Sequence, residues 1–309
     1  MKIIFLGTPD FAVNSLQALI AAGHEILAVV TQPDKPVGRK GVLTPSAVKT
    51  CALSHNLTVL QYEKIRSEGV EELRSLHPDI MVTCAYGQIL SQEIIDIAPY
   101  GIINVHGSLL PKYRGAAPIQ YAVLNGDEYT GVTIMQTQAG VDDGDILAVR
   151  PTKIGYLETA GELFDRLSVL GAELLVETLD RIEKGQITPV PQDHSKATFV
   201  KMIKKEQAEI DFSLPAEKVK NLVCGMNPWP IAFTHLNGKM LKIYRVEVIN
   251  DDFSGNAGEV VIADIKQGIV VKCSLGSLKI DELQLEGEKR LSARDFLLGR
   301  KIKVGDQLK

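Results

Sequence analysis

Along residues 1–185, short apolar runs alternate with segments of helical spacing, and few folds accept that pattern. KIIFLG (2–7) is closed by the turn-forming Gly7-Thr8-Pro9-Asp10, as expected of a strand buried in a parallel sheet. Phe11, Leu16, Leu19 and Ile20 then fall near helical spacing, and Gly23 ends that helix. HEILAVVTQ (24–32) predicts a second strand. DIMVTCAYG (79–87) and GIINVHG (101–107) predict two more, with a helix over about 91–98 between them. TGVTIMQT (130–137) and DILAVRPTKI (145–154) add strands. The longest helical pattern covers 159–185, with Thr159 as its cap and Gly185 as its stop. Strand alternating with helix needs crossovers, so the class is α/β with a doubly wound, mostly parallel, Rossmann-like sheet.

After Gly185 the texture changes. Residues 190–207 carry little periodicity and read as a linker with a helical turn or two, and 214–227 reads as one short helix. Beyond lie AFTHL, KMLKIYRVEVI, GEVVIADI, GIVVKCS and LKIDELQL, β-rich runs spaced as in a small barrel or sandwich. A chain of 309 residues is long for one core. The expected division is 1–189, a linker at 190–207, and a β module over 208–309.

Several classes are excluded. No run of 18 apolar residues exists to span a bilayer, and the apolar run near Met1 is too short for a signal-peptide core. Cys51, Cys84, Cys224 and Cys273 are far apart, so neither a disulfide framework nor a zinc site is expected, and a reducing cytoplasm fits. The net charge of −4 is unevenly spread. Residues 1–200 hold 16 Lys+Arg against 23 Asp+Glu, and residues 201–309 hold 18 against 15. The asymmetry fits either a C-terminal part that meets an anionic partner or ordinary surface variation.

The chemistry concentrates in INVHGSLLPKYRGAAPIQ (103–120). Asn104 and His106, two apart on a strand, project from one face at the carboxyl end, where open α/β sheets gather ligands. An amide donor beside an imidazole suits a developing oxyanion and proton transfer. An isolated Asn-x-His is also compatible with ordinary strand-end residues. The loop after it holds Leu109, Leu110 and Pro111 between glycines, followed by Lys112 and Arg114, so its leucines cover either the core or a flat ligand.

QAGVDDGD (138–145) offers Asp142, Asp143 and Asp145 around Gly144: a solvated turn, a cation loop or a histidine's partner. A calcium loop requires more oxygen ligands at regular spacing. Ser108, His106 and an Asp form a hydrolase triad on paper, but there is no Gly-x-Ser-x-Gly elbow. No Gly-x-Gly-x-x-Gly follows the first strand, which argues against a dinucleotide.

Asn104-x-His106-x-Ser108-Leu109-Leu110-Pro111, with an aspartate in a Gly-rich turn downstream, resembles the folate-dependent formyltransferases. The resemblance implies that Asn104, His106 and Asp142 move a formyl group from 10-formyltetrahydrofolate to an amine, without a metal. It implies further that Ser108, Leu109, Leu110 and Pro111 hold the tetrahydrofolate. FLGTPDFAV (5–13), TQPDKPVGRK (31–40), TPSAVK (44–49) and NPWP (227–230) are similar to the branch that formylates initiator methionyl-tRNA. On that likeness the β module is an OB-like barrel touching tRNA. Residues 33–44 are then a loop engaging the acceptor stem through Arg39, and Phe11 lines the methionyl pocket. GRKGVLTPS holds fewer consecutive basic residues than is usual there, which means fewer released counterions. Lys204, Lys205, Lys239 and Lys242 are candidate RNA contacts, and Trp229, between two prolines, is expected to be a packing plug.

Overall fold

The computed structural model describes residues 1–309 apart from Arg39, Lys40, Asp252 and Arg300. The chain forms two compact units. One comprises Met1–Pro118, Thr130–Thr152 and Phe164–Val200; the other comprises Ile119–Tyr129, Lys153–Leu163 and Lys201–Lys309.

The first unit is built on a seven-stranded sheet of β1 (Lys2–Gly7), β2 (Glu25–Thr31), β3 (Val59–Gln61), β4 (Ile80–Cys84), β5 (Ile102–His106), β6 (Tyr129–Gln136) and β7 (Ile146–Lys153). Their order is β7-β6-β5-β4-β1-β2-β3. β1 pairs in parallel with β2 and β4, β2 with β3 and β4 with β5, whereas β6 runs antiparallel to β5. The chain winds outward from β1 to β3, then restarts at β4 on the other side. That reversal opens a crevice beyond the carboxyl ends of β1 and β4. β4 is buried at all five residues, as a strand covered on both faces must be. β7, at the sheet edge, alternates half-buried with exposed residues from Ala148 onward, the signature of one wet face.

Helix Phe11–Ala21 follows β1, and Gly23 after it takes a φ of +78°. The long helix runs Ala160–Glu183. Thr159 caps it as expected: its hydroxyl oxygen accepts from the Glu162 amide at 3.2 Å, and the Glu162 carboxylate accepts from the Thr159 amide at 2.8 Å. Leu163, Leu167, Leu174, Leu175 and Leu179 form its buried stripe.

Three expectations are corrected. The helix foreseen over 91–98 is only Gln92–Ile95, because Pro99 biases Ala98 away from helical backbone. Residues 33–44, read as a loop, contain strands Lys35–Val37 and Val42–Thr44 paired antiparallel. Trp229, read as a packing plug, is 54% exposed. Helices Ala47–Ser54, Val70–Ser75, Pro118–Asn125 and Ala293–Leu298 were not announced by periodicity, since each spans about two turns or fewer.

The second unit holds a sheet of β8 (Phe233–Leu236), β9 (Lys239–Ile249), β10 (Val260–Asp264), β11 (Gly268–Lys272), β12 (Ser277–Leu285) and β13 (Leu291–Ser292). Their order is β8-β9-β12-β11-β10, with β13 against β12 and every pair antiparallel. Asn237 and Gly238, both at positive φ, make the tight turn between β8 and β9. Helix Ala216–Gly225 packs on β9. Among the described residues no helix is long and apolar enough to cross a membrane.

Candidate active site

β5 delivers Asn104 and His106 to its carboxyl end on one face, as the period of a strand requires. Asn104 lies in register with Thr83 of β4. The Thr83 hydroxyl donates to Asn104 Oδ1 at 2.9 Å. Fixing the carbonyl side of the amide turns its NH2 group the opposite way, as a donor.

His106 is buried. Its Nε2 lies 3.0 Å from the Tyr113 carbonyl oxygen, which only accepts, so Nε2 carries a proton. Nδ1 faces Asp142 Oδ2 at 3.7 Å, beyond hydrogen-bond length. Asp142 Oδ2 accepts from the Gly115 amide at 2.7 Å. Asp142 adopts a φ of +47°, a left-handed conformation that non-glycine residues take at some cost. Of the neighbouring carboxylates, Asp143 folds back over Gly140, and its Oδ1 is buried without a hydrogen-bond partner. Asp142 is therefore the carboxylate that stands beside the imidazole.

The loop after His106 is held from inside. The Ser108 side chain is buried, and its hydroxyl donates to the Lys112 carbonyl at 2.6 Å. The Ser108 carbonyl accepts the Thr133 hydroxyl at 2.7 Å, and the Leu110 amide donates to Thr133 Oγ1 at 3.2 Å. Ser108 Oγ is thus spent on the loop's own backbone, which closes the hydrolase-triad alternative. Leu110 is buried, while Leu109 and Pro111 are half-buried. Phe11 is buried at the start of its helix, its ring 5.1 Å from that of Phe164. Arg39 lies outside the described residues. A cavity of about 450 Å³ opens beyond β2 and β4, lined by Gln32, Asp34, Lys35, Lys64 and Gln88 among others, and includes none of Asn104, His106 and Asp142.

Sequence reasoning missed Arg114. In KYRGAAP it stands beside Lys112 as a second loop cation, yet it is buried, whereas Lys112 is exposed. The one available signal was Gly115, whose φ is +112° and where an added Cβ would come within 2.2 Å of the Val200 carbonyl oxygen.

Residues 1–179 match the family model described as formyl transferase, and residues 202–301 match the formyl transferase C-terminal domain. The chain is 50% identical to methionyl-tRNA formyltransferase of Lachnospira eligens over 100% of this chain and 99% of that one. It is 49% identical to methionyl-tRNA formyltransferase of Geobacter metallireducens over 100% and 98%. In fold it is similar to the N-formyltransferase of Helicobacter canadensis solved with folinic acid and dTDP-3-aminofucose. That likeness has a TM-score of 0.69 at 19% identity and covers 91% of this chain and 99% of that one.

Proposed function

The chain belongs to the formyl transferase family, and we propose that it acts there as a methionyl-tRNA formyltransferase. It transfers a formyl group to the α-amino group of methionine on initiator methionyl-tRNA, for translation initiation in the cytoplasm. The formyl donor is 10-formyltetrahydrofolate. Residues 1–189 are the catalytic part and 208–309 the tRNA-contacting part, joined through 190–207.

The observation that carries the site is the pairing of a pre-oriented Asn104 amide with the His106–Asp142 couple. The α-amino nitrogen attacks the formyl carbon, the carbon–nitrogen bond to the folate breaks, and one proton passes from the amine to the folate nitrogen. Asn104 Nδ2 donates to the formyl oxygen as it gains charge, an interaction worth about 3–4 kcal/mol of barrier. With Nε2 protonated, Nδ1 and Asp142 Oδ2 are two acceptors facing one another. Nδ1 is thus the free ring acceptor that can take the proton the amine sheds, with the Asp142 carboxylate beside it. Holding both substrates in register supplies much of the rest.

Leu109 and Pro111 offer apolar surface beside this site, with Ser108 and Leu110 holding the loop that carries them. Phe11 shapes the methionyl side. The arm at 33–44, with exposed Val42 and Leu43 and with Arg39, engages the acceptor stem. Lys204, Lys205 and Lys239 are exposed and Lys242 half-buried, as candidate backbone contacts.

A competition assay separates this reading from an amino-sugar formyltransferase. With 10-formyltetrahydrofolate offered to methionyl-tRNA and to a nucleotide-linked amino sugar together, label appears on the tRNA. Label on the sugar alone overturns the reading.

A further inference from the structure

The three residues 113–115 meet the catalytic groups in turn. The Tyr113 carbonyl accepts from His106 Nε2 at 3.0 Å, and the Gly115 amide donates to Asp142 Oδ2 at 2.7 Å. Arg114, between them, turns its side chain inward to Gln192, a residue of the segment read from sequence as a linker. Gln192 Oε1 accepts from Arg114 Nε at 3.1 Å and from Nη2 at 2.7 Å. Gln192 Nε2 donates to the carbonyl oxygens of Asp142 at 2.9 Å and Gly144 at 2.7 Å. Both side chains are buried: Arg114 is 3% exposed and Gln192 5%.

Two features make this more than packing. Asp142 sits at a left-handed φ of +47°, which aspartate tolerates better than most residues but still takes at some cost, so bonds that pin the turn help to keep it there. The Gln192 amide does so at both ends of Asp142–Gly144, and its opposite side is gripped by the rigid guanidinium fork. Arg114 also carries a buried charge whose hydrogen bonds go to neutral groups, Gln192 and His194 Nδ1 at 3.3 Å, with no ion pair among the described residues. A neutral amide suits the bridge from a guanidinium to two carbonyl oxygens, since its oxygen accepts on one side while its NH2 group donates twice on the other.

We propose that Gln192, locked by Arg114, is a positioning residue for the transfer: it holds the Asp142 turn so that the carboxylate stands against His106 Nδ1. This inference rests on the reading of Asp142 as a catalytic group. It assigns to the 190–207 segment a part in catalysis that its composition does not suggest.

The test is Gln192→Glu, which keeps the volume and a partner for Arg114 but removes both donors to the turn. Formyl transfer, the KM for each substrate, the thermal midpoint and amide exchange at Gly115 are measured together. The expected result is a kcat lowered about tenfold or more with both KM values within about twofold, because a misplaced catalytic group costs turnover. The Gly115 amide, which reports the bond to Asp142, should exchange faster while the midpoint holds. A kcat within twofold of the wild type, a loss confined to KM, or unchanged Gly115 exchange overturns the proposal. Should Gln192→Glu not fold, Gln192→Asn, with the amide kept but its reach shortened, is scored the same way. If the wild-type protein transfers no formyl group, the reading of the reaction fails, while Gly115 exchange still decides whether Gln192 holds the turn.

Discussion

His106 Nδ1 and Asp142 Oδ2 face each other across 3.7 Å, with His106 Nε2 already committed to the Tyr113 carbonyl. A proton reaching this couple therefore has one place to settle. Asp142→Asn removes the charge and keeps the shape. It should lower kcat by about two orders of magnitude, as loss of a general base does, with KM for both substrates little changed. Pre-steady-state formyl transfer reads this directly, and a turnover within a few-fold of wild type would remove Asp142 from the chemistry.

Asn104 depends on Thr83 for its orientation. Asn104→Ala should cost about two to three orders of magnitude in kcat, the usual loss for an oxyanion donor. Thr83→Val keeps the donor but frees it to rotate. Its expected cost is smaller, about fivefold to tenfold, matching a hydrogen bond worth about 1 kcal/mol. If the two variants lose equally, orientation rather than donation is the dominant contribution.

The base of the 33–44 arm is latched by Lys49, whose Nζ donates to both Asp34 oxygens at 2.9 and 2.8 Å and to Gln61 Oε1 at 2.8 Å. The hydrogen bond from Lys49, then that from Gln61, holds the Asp34 carboxyl below its ordinary value of 3.8. A carboxyl depressed on folding contributes its stability above the unfolded pKa and loses it as pH falls through the folded value. The latch should therefore hold at neutral pH and release only below the ordinary carboxylate range. In Lys49→Met, an NMR titration should show Asp34 moving back toward 3.8, and KM for tRNA should rise with kcat kept. A titration unmoved by the substitution would mean that Lys49 does not hold the arm.

All four cysteines are buried. Desolvation pushes the Cys84 and Cys273 thiols up to about 12 and Cys224 to about 11, and raises Cys51. Thiolate is the reactive form, so a thiol reagent at neutral pH should label none in the native protein and four after denaturation. Rapid labelling of one native thiol would show that its strand or helix opens.

Much of the fold was legible because long strands and the 24-residue helix display their period over enough residues to be seen. Asn104 and His106 were legible for the same reason: period two puts them on one face whatever the tertiary fold. Asp142 could be paired with them only by resemblance, because nothing local brings residues 36 apart together. Arg114 and Gln192 were illegible. A loop arginine and a linker glutamine look solvated until the chain folds back, and only the 2.7 Å bond between them reveals that both are interior. Trp229 failed in the other direction: flanking prolines suggested packing, yet its ring is open to solvent.

Incubating the wild-type protein with 10-formyltetrahydrofolate and methionyl-tRNA, then weighing the amino acid released from the tRNA, tests the central claim most directly. The expected product is N-formylmethionine, formed by wild type and reduced about a hundredfold or more by Asn104→Ala under single-turnover conditions. Methionine of unchanged mass, or formylmethionine made equally fast without the Asn104 amide, would contradict it.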